Sequence, residues 1–391
     1  NINGNFQYTY APEFERLFPK KSTFEALLVR DYNDDGKGDL FVNTGGDLSI
    51  YKNTGDTVPR FQLAVKNLKA LDAVWCNDTC TSSVYVNPTD VPGVADVDMD
   101  GDLDILSVSS GYIDYYRNLA AERDSVTKDS LTFLLQDACW GAFRESGFNS
   151  NLPDININCP GYRRVQKRHA GSNILPINYD NDQDMDLIYG DVGFNNLVYL
   201  ENGRADNNHP VDSFVNATLD FPADKPVRMR EFLAPFSVRV NSDSLKDLII
   251  TPQEAIAARS LNQVWYYKNT GSPNDPDFKF QKNTFLQETM VDIGSSTAPA
   301  FFDYNGDNVM DLVIATTNHK ANDNTDYLRL FENINTNKRP VFKQVDDNYL
   351  GLKKDSLISL APAFGDMDGD GDKVLLAVNE NGRLINFENT A

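Results

Sequence analysis

The sequence predicts an all-β chain, a β-propeller of four-stranded blades. Three observations predict it. An acidic loop recurs six times along 391 residues at near-constant spacing. An aromatic or apolar stretch ending in Asn follows every loop. No segment carries the long 3.6-residue apolar period of an amphipathic helix, and no apolar run approaches the length of a bilayer span. The chain is therefore expected not to be membrane-spanning.

The loop reads D-x-[DN]-x-D-G-x-x-D before a short apolar run. The first copy is Asp31, Asn33, Asp35, Gly36, Lys37 and Asp39, followed by Leu40-Phe41-Val42. The second is Asp96, Asp98, Asp100, Gly101, Asp102 and Asp104. The third is Asn178, Asp180, Asp182, Asp184 and Asp186, with Gln183 in the glycine slot. The fourth is degenerate, with Arg239, Asn241, Asp243, Ser244 and Asp247. The fifth is Asp303, Asn305, Asp307, Asn308, Val309 and Asp311. The sixth is Asp366, Asp368, Asp370, Gly371 and Asp372, with Val374 in place of the last Asp. First positions 31, 96, 178, 239, 303 and 366 are 65, 82, 61, 64 and 63 residues apart.

The second marker is Tyr51-Lys52-Asn53, Tyr116-Arg117-Asn118, Leu200-Glu201-Asn202, Tyr267-Lys268-Asn269, Phe331-Glu332-Asn333 and Phe387-Glu388-Asn389. A third, P-x-F, opens a further strand at Pro59-Arg60-Phe61, Pro276-Asp277-Phe278 and Pro340-Val341-Phe342, with Phe133 and Phe214 in the weaker copies. Each unit reads strand, acidic loop, strand, turn, aromatic strand, polar turn, strand. Four short strands repeated about every 60 residues make a propeller blade.

Residues 1–391 are read as one propeller domain, with six blades favoured and seven if a C-terminal piece is missing. The sixth unit stops before its P-x-F strand. Residues 1–22, through Pro12-Glu13-Phe14, are expected to supply that strand and close the ring, which removes an exposed sheet edge. The 82-residue step holds an insertion at 134–170.

Alternating Asp and Asn oxygens at positions 1, 3, 5 and 9, with the carbonyl at position 7, suit a hard cation that takes six or seven oxygens. That cation is Ca²⁺. The candidate ligands are Asp31, Asn33, Asp35, Lys37 and Asp39; Asp96, Asp98, Asp100, Asp102 and Asp104; Asn178, Asp180, Asp182, Asp184 and Asp186; Asp303, Asn305, Asp307, Val309 and Asp311; and Asp366, Asp368, Asp370 and Asp372. Three to five structural calcium sites are expected. One loop alone is an ordinary acidic turn; six at blade period are not. An EF-hand is rejected, because position 12 is Val42 or Ser107 and strand-type sequence follows. In loop four, Arg239 is expected to pair with Asp243 and Asp247 in place of the metal.

These units resemble the FG-GAP/VCBS repeats of integrin-α-like propellers. The resemblance covers residues 23–391 and rests on the three markers in order. Ala298-Pro299-Ala300-Phe301-Phe302-Asp303 and Ala361-Pro362-Ala363-Phe364-Gly365-Asp366 resemble its most typical form. Many such proteins are secreted or cell-surface proteins of bacteria. Asp-Ser/Thr-apolar triplets such as Asp56-Thr57-Val58 and Asp124-Ser125-Val126 resemble the O-glycosylation motif of exported Bacteroidota proteins. The N-terminus lacks the basic start and apolar core of a signal peptide, so the chain reads as mature or trimmed.

Charge narrows the partners. With 57 acidic and 36 basic side chains the net charge is −21, which argues against nucleic acid and anionic membranes. The four cysteines allow three pairings. Cys76–Cys80 and Cys139–Cys159 are favoured, each stapling a loop insertion; zinc fits neither spacing. The three histidines sit in no metal-ligand spacing, and no nucleophile elbow or P-loop is present. The sequence gives no positive case for an enzyme. One basic run, Arg163, Arg164, Lys167 and Arg168, follows Trp140 and Phe143 in the insertion. These six residues are the expected partner-binding surface, since Arg and Trp are favoured anchors.

The expected function is a non-enzymatic, calcium-stabilised scaffold at the cell surface or outer membrane. Its partner is another exported or outer-membrane protein. Resemblance alone links it to gliding, adhesion or type nine secretion in Bacteroidota. The alternatives are a carbohydrate-binding lectin and a polysaccharide lyase.

Overall fold

The computed structural model describes residues 12–19, 25–123, 129–145, 151–159, 171–205, 210–229, 232–253, 262–287, 291, 297–316, 327–352, 360–367, 369, 373–378 and 384–388. The chain is all-β and divides into two units. The first, Asn1–Ala258 with Val264–Phe285, carries four sheets.

Sheet one runs β1 (Ala26–Arg30), β2 (Asp39–Thr44), β3 (Asp47–Asn53), β4 (Phe61–Val65) as an antiparallel meander. Sheet two has six strands in the order β6-β5-β10-β9-β8-β7. These are β5 (Lys69–Asp72), β6 (Thr81–Ser83), β7 (Gly93–Ala95), β8 (Asp104–Ser109), β9 (Tyr112–Asn118) and β10 (Phe133–Asp137). Sheet three is β11 (Ser172–Ile177), β12 (Asp186–Asp191), β13 (Leu197–Asn202), β14 (Phe214–Phe221). Sheet four is β15 (Leu233–Val238), β16 (Asp247–Pro252), β17 (Trp265–Asn269), β18 (Phe278–Lys282).

The second unit, Arg259–Gln263 with Leu286–Ala391, carries the other two. Sheet five is β19 (Ala298–Phe302), β20 (Asp311–Thr316), β21 (Tyr327–Asn333), β22 (Phe342–Tyr349). Sheet six is β23 (Ala361–Gly365), β24 (Val374–Val378), β25 (Leu384–Phe387), with three strands among the described residues. Its core joins Phe302, Leu328 and Leu330 of sheet five to Leu375 and Ala377 of sheet six.

Each acidic loop joins the first and second strands of its four-strand repeat, which in sheet two are β7 and β8, with β9 and β10 as third and fourth. Second strands are buried on both faces: every residue of β12 is buried, and so are the first five of β2 and β8. The fourth strands β4 and β22 lie mostly at the surface, which suits the polar sequence of β22, whereas β4 leaves Leu63 exposed. The third and fourth strands of sheets one to five meet through a register shift, a bulge that increases local twist.

Two expectations are corrected here. Pro12–Leu17 is a 3-10 helix, not a strand that completes the last blade. Phe18, just after it, meets Phe61 at the start of β4 in a tilted pair, with ring centroids 5.2 Å apart. Sheet two is also wider than the repeat predicts. Hairpin β5-β6 joins its outer edge, with β5 parallel to β10 and β6 antiparallel to β5. The 65-residue first step looks regular, so spacing hides this addition.

Candidate functional site

The last Asp of the loop is the least exposed acidic position of the repeat. Asp39, Asp104, Asp186, Asp247 and Asp311 are each 0% exposed at the start of a second strand. One carboxylate oxygen accepts from the backbone N–H two residues into the loop: Tyr32, Val97, Tyr179, Val240 or Tyr304, at 2.9–3.3 Å. The other accepts from the N–H of the marker Asn, at 2.7–2.9 Å for Asn53, Asn118, Asn202, Asn269 and Asn333. That Asn then caps the next turn. Asn53, Asn202, Asn269 and Asn333 each accept two further backbone N–H groups through Oδ1. The Asp–Asn pair is thus a staple between loop, second strand and third strand, and it explains why the marker ends in Asn. A carboxylate oxygen has further lone pairs, so the staple leaves acceptor capacity toward the loop.

The first position gathers loop amides. Asp31 accepts from Asp35 and Gly36, Asp96 from Gly101, Asp303 from Gly306, Asp307 and Asn308, and Asp366 from Gly369. The bend needs left-handed backbone: Gly36 has φ 82°, Gly101 94°, and Asn308, in the glycine slot of loop five, 67°.

Loop two fits a cation best. Oxygens of Asp96, Asp98 and Asp100 lie within 4.8 Å of one another, as do those of Asp100, Asp102 and Glu122. Asp96 Oδ1, Asp98 Oδ1, Asp100 Oδ2 and Asp102 Oδ1 are buried without a hydrogen-bond donor. Buried acceptors without donors are costly, and a hard cation would satisfy them. Glu122 comes from the short helix α2 (Ala120–Arg123) and was not legible in the motif. Arg117 also reaches this cluster, with Nε 2.6 Å from Asp98. Loop three leaves Asp182 Oδ2 and Asp184 Oδ1 in the same donor-less state, and loop one leaves Asn33 Oδ1. In loop five, Asn305 and Asp307 sit exposed and Asp303 half-buried around their own amides, with the Val309 N–H bonded to Asp307. Asp180 lies at the surface of loop three, and Lys37 is drawn to Asp56 at 3.2 Å. Asp368, Asp370 and Asp372 lie outside the described residues.

Burial dominates the electrostatics. It pushes Asp104 up to about 8 against the Asn118 amide, and Asp186 up to about 8 against the Asn202 amide. Asp102 and Asp184 rise to about 6 by burial, with Asp100 and Asp182 adding like charge. Asp96 and Asp98 also rise, by burial first and then by neighbouring carboxylates. Bound calcium would reverse these shifts by holding the carboxylates ionised.

Loop four corrects the expected guanidinium pairing. Lys268 of β17 is the cation at Asp243, 3.3 Å away, and Asn241 Nδ2 donates to Asp247.

The insertion is corrected more sharply. Cys139 and Cys159 are bonded, as expected, with Cα atoms 6.0 Å apart. Trp140 and Phe143 are 1% and 0% exposed and form core, not a docking surface. Trp140 meets Phe214 edge-on at 5.3 Å, Phe143 meets Tyr189 at 5.2 Å, and Trp140 Nε1 donates to Asp212 at 3.0 Å. The staple folds the segment onto sheet three, where two large rings gain more by burial than at the surface. Arg163, Arg164, Lys167 and Arg168 lie outside the described residues.

A cleft of about 360 Å³ opens where the β5-β6 hairpin meets the body of sheet two. Asp72, Trp75, Ser82, Tyr85, Asp114 and Tyr116 line it, with Ser83 and Ser109 beside them. Trp75 stands on α1 (Ala73–Cys76), which Asp72 caps through the Trp75 N–H at 2.8 Å and the Cys76–Cys80 disulfide closes. Trp75 and Tyr85 are 38% and 46% exposed, so ring surface faces solvent. The Tyr85 ring lies against Gly46, where a Cβ would stand 2.6 Å from it, so the glycine makes room for the ring. Deeper, Asp114 is buried and Ser82 Oγ is buried without a partner. Sequence reasoning missed this cleft; Trp75 beside a short disulfide loop was its only signal.

No family model matches the chain. No curated protein matches it either. Among solved structures it is similar to an Agrocybe aegerita lectin that recognises non-reducing terminal N-acetylglucosamine, at 14% identity over 84% of this chain and 68% of that one, TM-score 0.29. It is also similar to a Photorhabdus luminescens Tc holotoxin pore, at 14% identity over 92% of this chain and 13% of that one, TM-score 0.22. At these TM-scores neither likeness bears on the fold or function of this chain.

Proposed function

We propose that this chain is a non-enzymatic binding protein of the extracellular or outer-membrane space, and that its ligand is a neutral carbohydrate held in the Trp75–Tyr85 cleft. Its sheets are the blades of a propeller that calcium stabilises at the acidic loops. The lining of the cleft carries this reading. Two partly exposed aromatic rings offer flat apolar faces for sugar C–H groups. Asp114, Ser82, Ser83 and Ser109 offer acceptors and hydroxyls. Among the described residues the lining holds two carboxylates and no cation, which disfavours an anionic ligand and favours one rich in O–H donors. Ser82 Oγ is a buried hydroxyl awaiting a partner. Catalysis by a carboxylate pair is disfavoured, because Asp72 is already engaged as a helix cap.

Protein docking at the insertion loses its two aromatic anchors to the core. The test is titration calorimetry against neutral mono- and oligosaccharides found on a glycan array, with Trp75→Ala and Ser82→Ala variants. Binding is expected in the wild type and about tenfold or more weaker in Trp75→Ala, with no hydrolysis product. Binding that ignores both variants would place the ligand elsewhere. Binding to no glycan at all would overturn the reading.

A further inference from the structure

In the first unit, β1, β7, β11 and β15 contribute to the wall of a second cavity of about 260 Å³. Its charge is opposite to that of the chain. Arg30, at the end of β1, and Lys246, in loop four, line it. Arg239 lies close enough to Lys246 to repel its charge, as does Arg30. In a chain with 57 acidic and 36 basic side chains, cations are expected to find carboxylates. These do not. Among the described residues neither Lys246 nor Arg239 forms an ion pair, and Arg30 spends Nε and Nη1 on the main-chain carbonyls of Val94 and Val29, at 3.3 and 2.9 Å. Those two bonds fix the guanidinium plane at the cavity wall and leave Nη2 available as a donor. Among the described residues Asp96 is the only carboxylate on the lining, and its Oδ2 accepts from Gly101 inside its own loop. The remaining polar lining described, Asn178, Ser237, Asn269 and Asn274, is neutral; Asn178 and Asn269 each spend an Nδ2 N–H on a carbonyl, of Asp182 and Ser272, which leaves Ser237 and Asn274 as the further donors.

We infer that this cavity is a binding site for a small oxyanion, a phosphate or carboxylate group clasped between Arg30 and Lys246. Through Nη2 the fixed guanidinium donates to an oxygen of such a group, and a lysine adds a mobile point charge. The volume lies below the range of drug-sized ligand pockets, which limits the occupant to a small molecule or a single terminal group. The site is independent of the carbohydrate cleft, which carries no basic side chain among the described residues.

The test uses the full chain in thermal unfolding, titrated with sodium phosphate, sodium succinate and sodium chloride at matched ionic strength. Phosphate or succinate should raise the melting temperature with the logarithmic dependence of a ligand bound only by the folded state, and chloride should not. A response to phosphate alone selects a tetrahedral ligand; a response to succinate selects a carboxylate. In anion-free buffer Lys246→Gln should melt no lower than wild type, because it removes a mutually repelled charge from an exposed position. Calorimetric affinity for the responding anion should fall about tenfold or more in that variant. Equal shifts with chloride would overturn the site. So would a Lys246→Gln variant that keeps wild-type affinity.

Discussion

Replacing Asp247 with Ala isolates the Asp–Asn staple, because loop four lacks the oxygen set of a cation site and metal loss cannot confound the result. Asp247 is 0% exposed and accepts from Val240 N at 3.3 Å and Asn269 N at 2.9 Å. It also accepts from Asn241 Nδ2 at 3.2 Å and the Tyr266 hydroxyl at 3.4 Å. Alanine leaves two buried main-chain donors unsatisfied, each costing about 1–3 kcal/mol. Burial raises the Asp247 pKa, so losing a carboxylate that is costly to ionise offsets part of that. The net expectation is a loss of about 2–4 kcal/mol. Asp247→Asn keeps one acceptor oxygen and should lose about half as much. Urea unfolding in chelator can be followed by the fluorescence of Trp265, which sits in the same sheet. The midpoint should fall with an unchanged slope. If Asp247→Ala unfolds within about 0.5 kcal/mol of wild type, the carboxylate is no staple and the reasoning fails.

In chelator, stability should fall as pH rises. Asp104 and Asp186 titrate near 8 and Asp102 and Asp184 near 6 in the fold, all above the unfolded value. Their contribution is therefore complete below about pH 4 and is lost through pH 6 to 8. Melting at pH 5 and pH 8 checks this: calcium should restore more at pH 8, Asp104→Asn should flatten the chelated profile, and equal melting at both pH values would contradict it. Trp140→Ala should cost about 3–5 kcal/mol in urea unfolding, since the ring is core against Phe214, whereas a surface anchor would leave stability unchanged.

Much of the fold was legible because its determinants are local. Turn chemistry, β-branched and aromatic runs and a period near 60 residues fixed where strands begin, where loops fall and that the acidic loop joins the first two strands of each repeat. The Cys76–Cys80 pairing was also within reach, because four residues leave little choice of partner. The marker Asn was visible as a repeat, but its bonding to the loop Asp was not. That bond spans 14 to 22 residues and depends on how the third strand packs beside the second.

What only the tertiary structure decided were matters of long-range burial. Trp140 and Phe143 read as exposed anchors in a polar insertion, yet sheet three offers them Phe214 and Tyr189. Arg239 read as the partner of Asp243, yet Lys268 arrives from β17. The Trp75–Tyr85 cleft exists because β5 pairs in parallel with β10, more than 60 residues away in sequence, and no local pattern encodes that choice. A repeat determines its own hydrogen bonds; which neighbour covers a ring, answers a charge or opens a cleft depends on surfaces that meet only when the chain has folded.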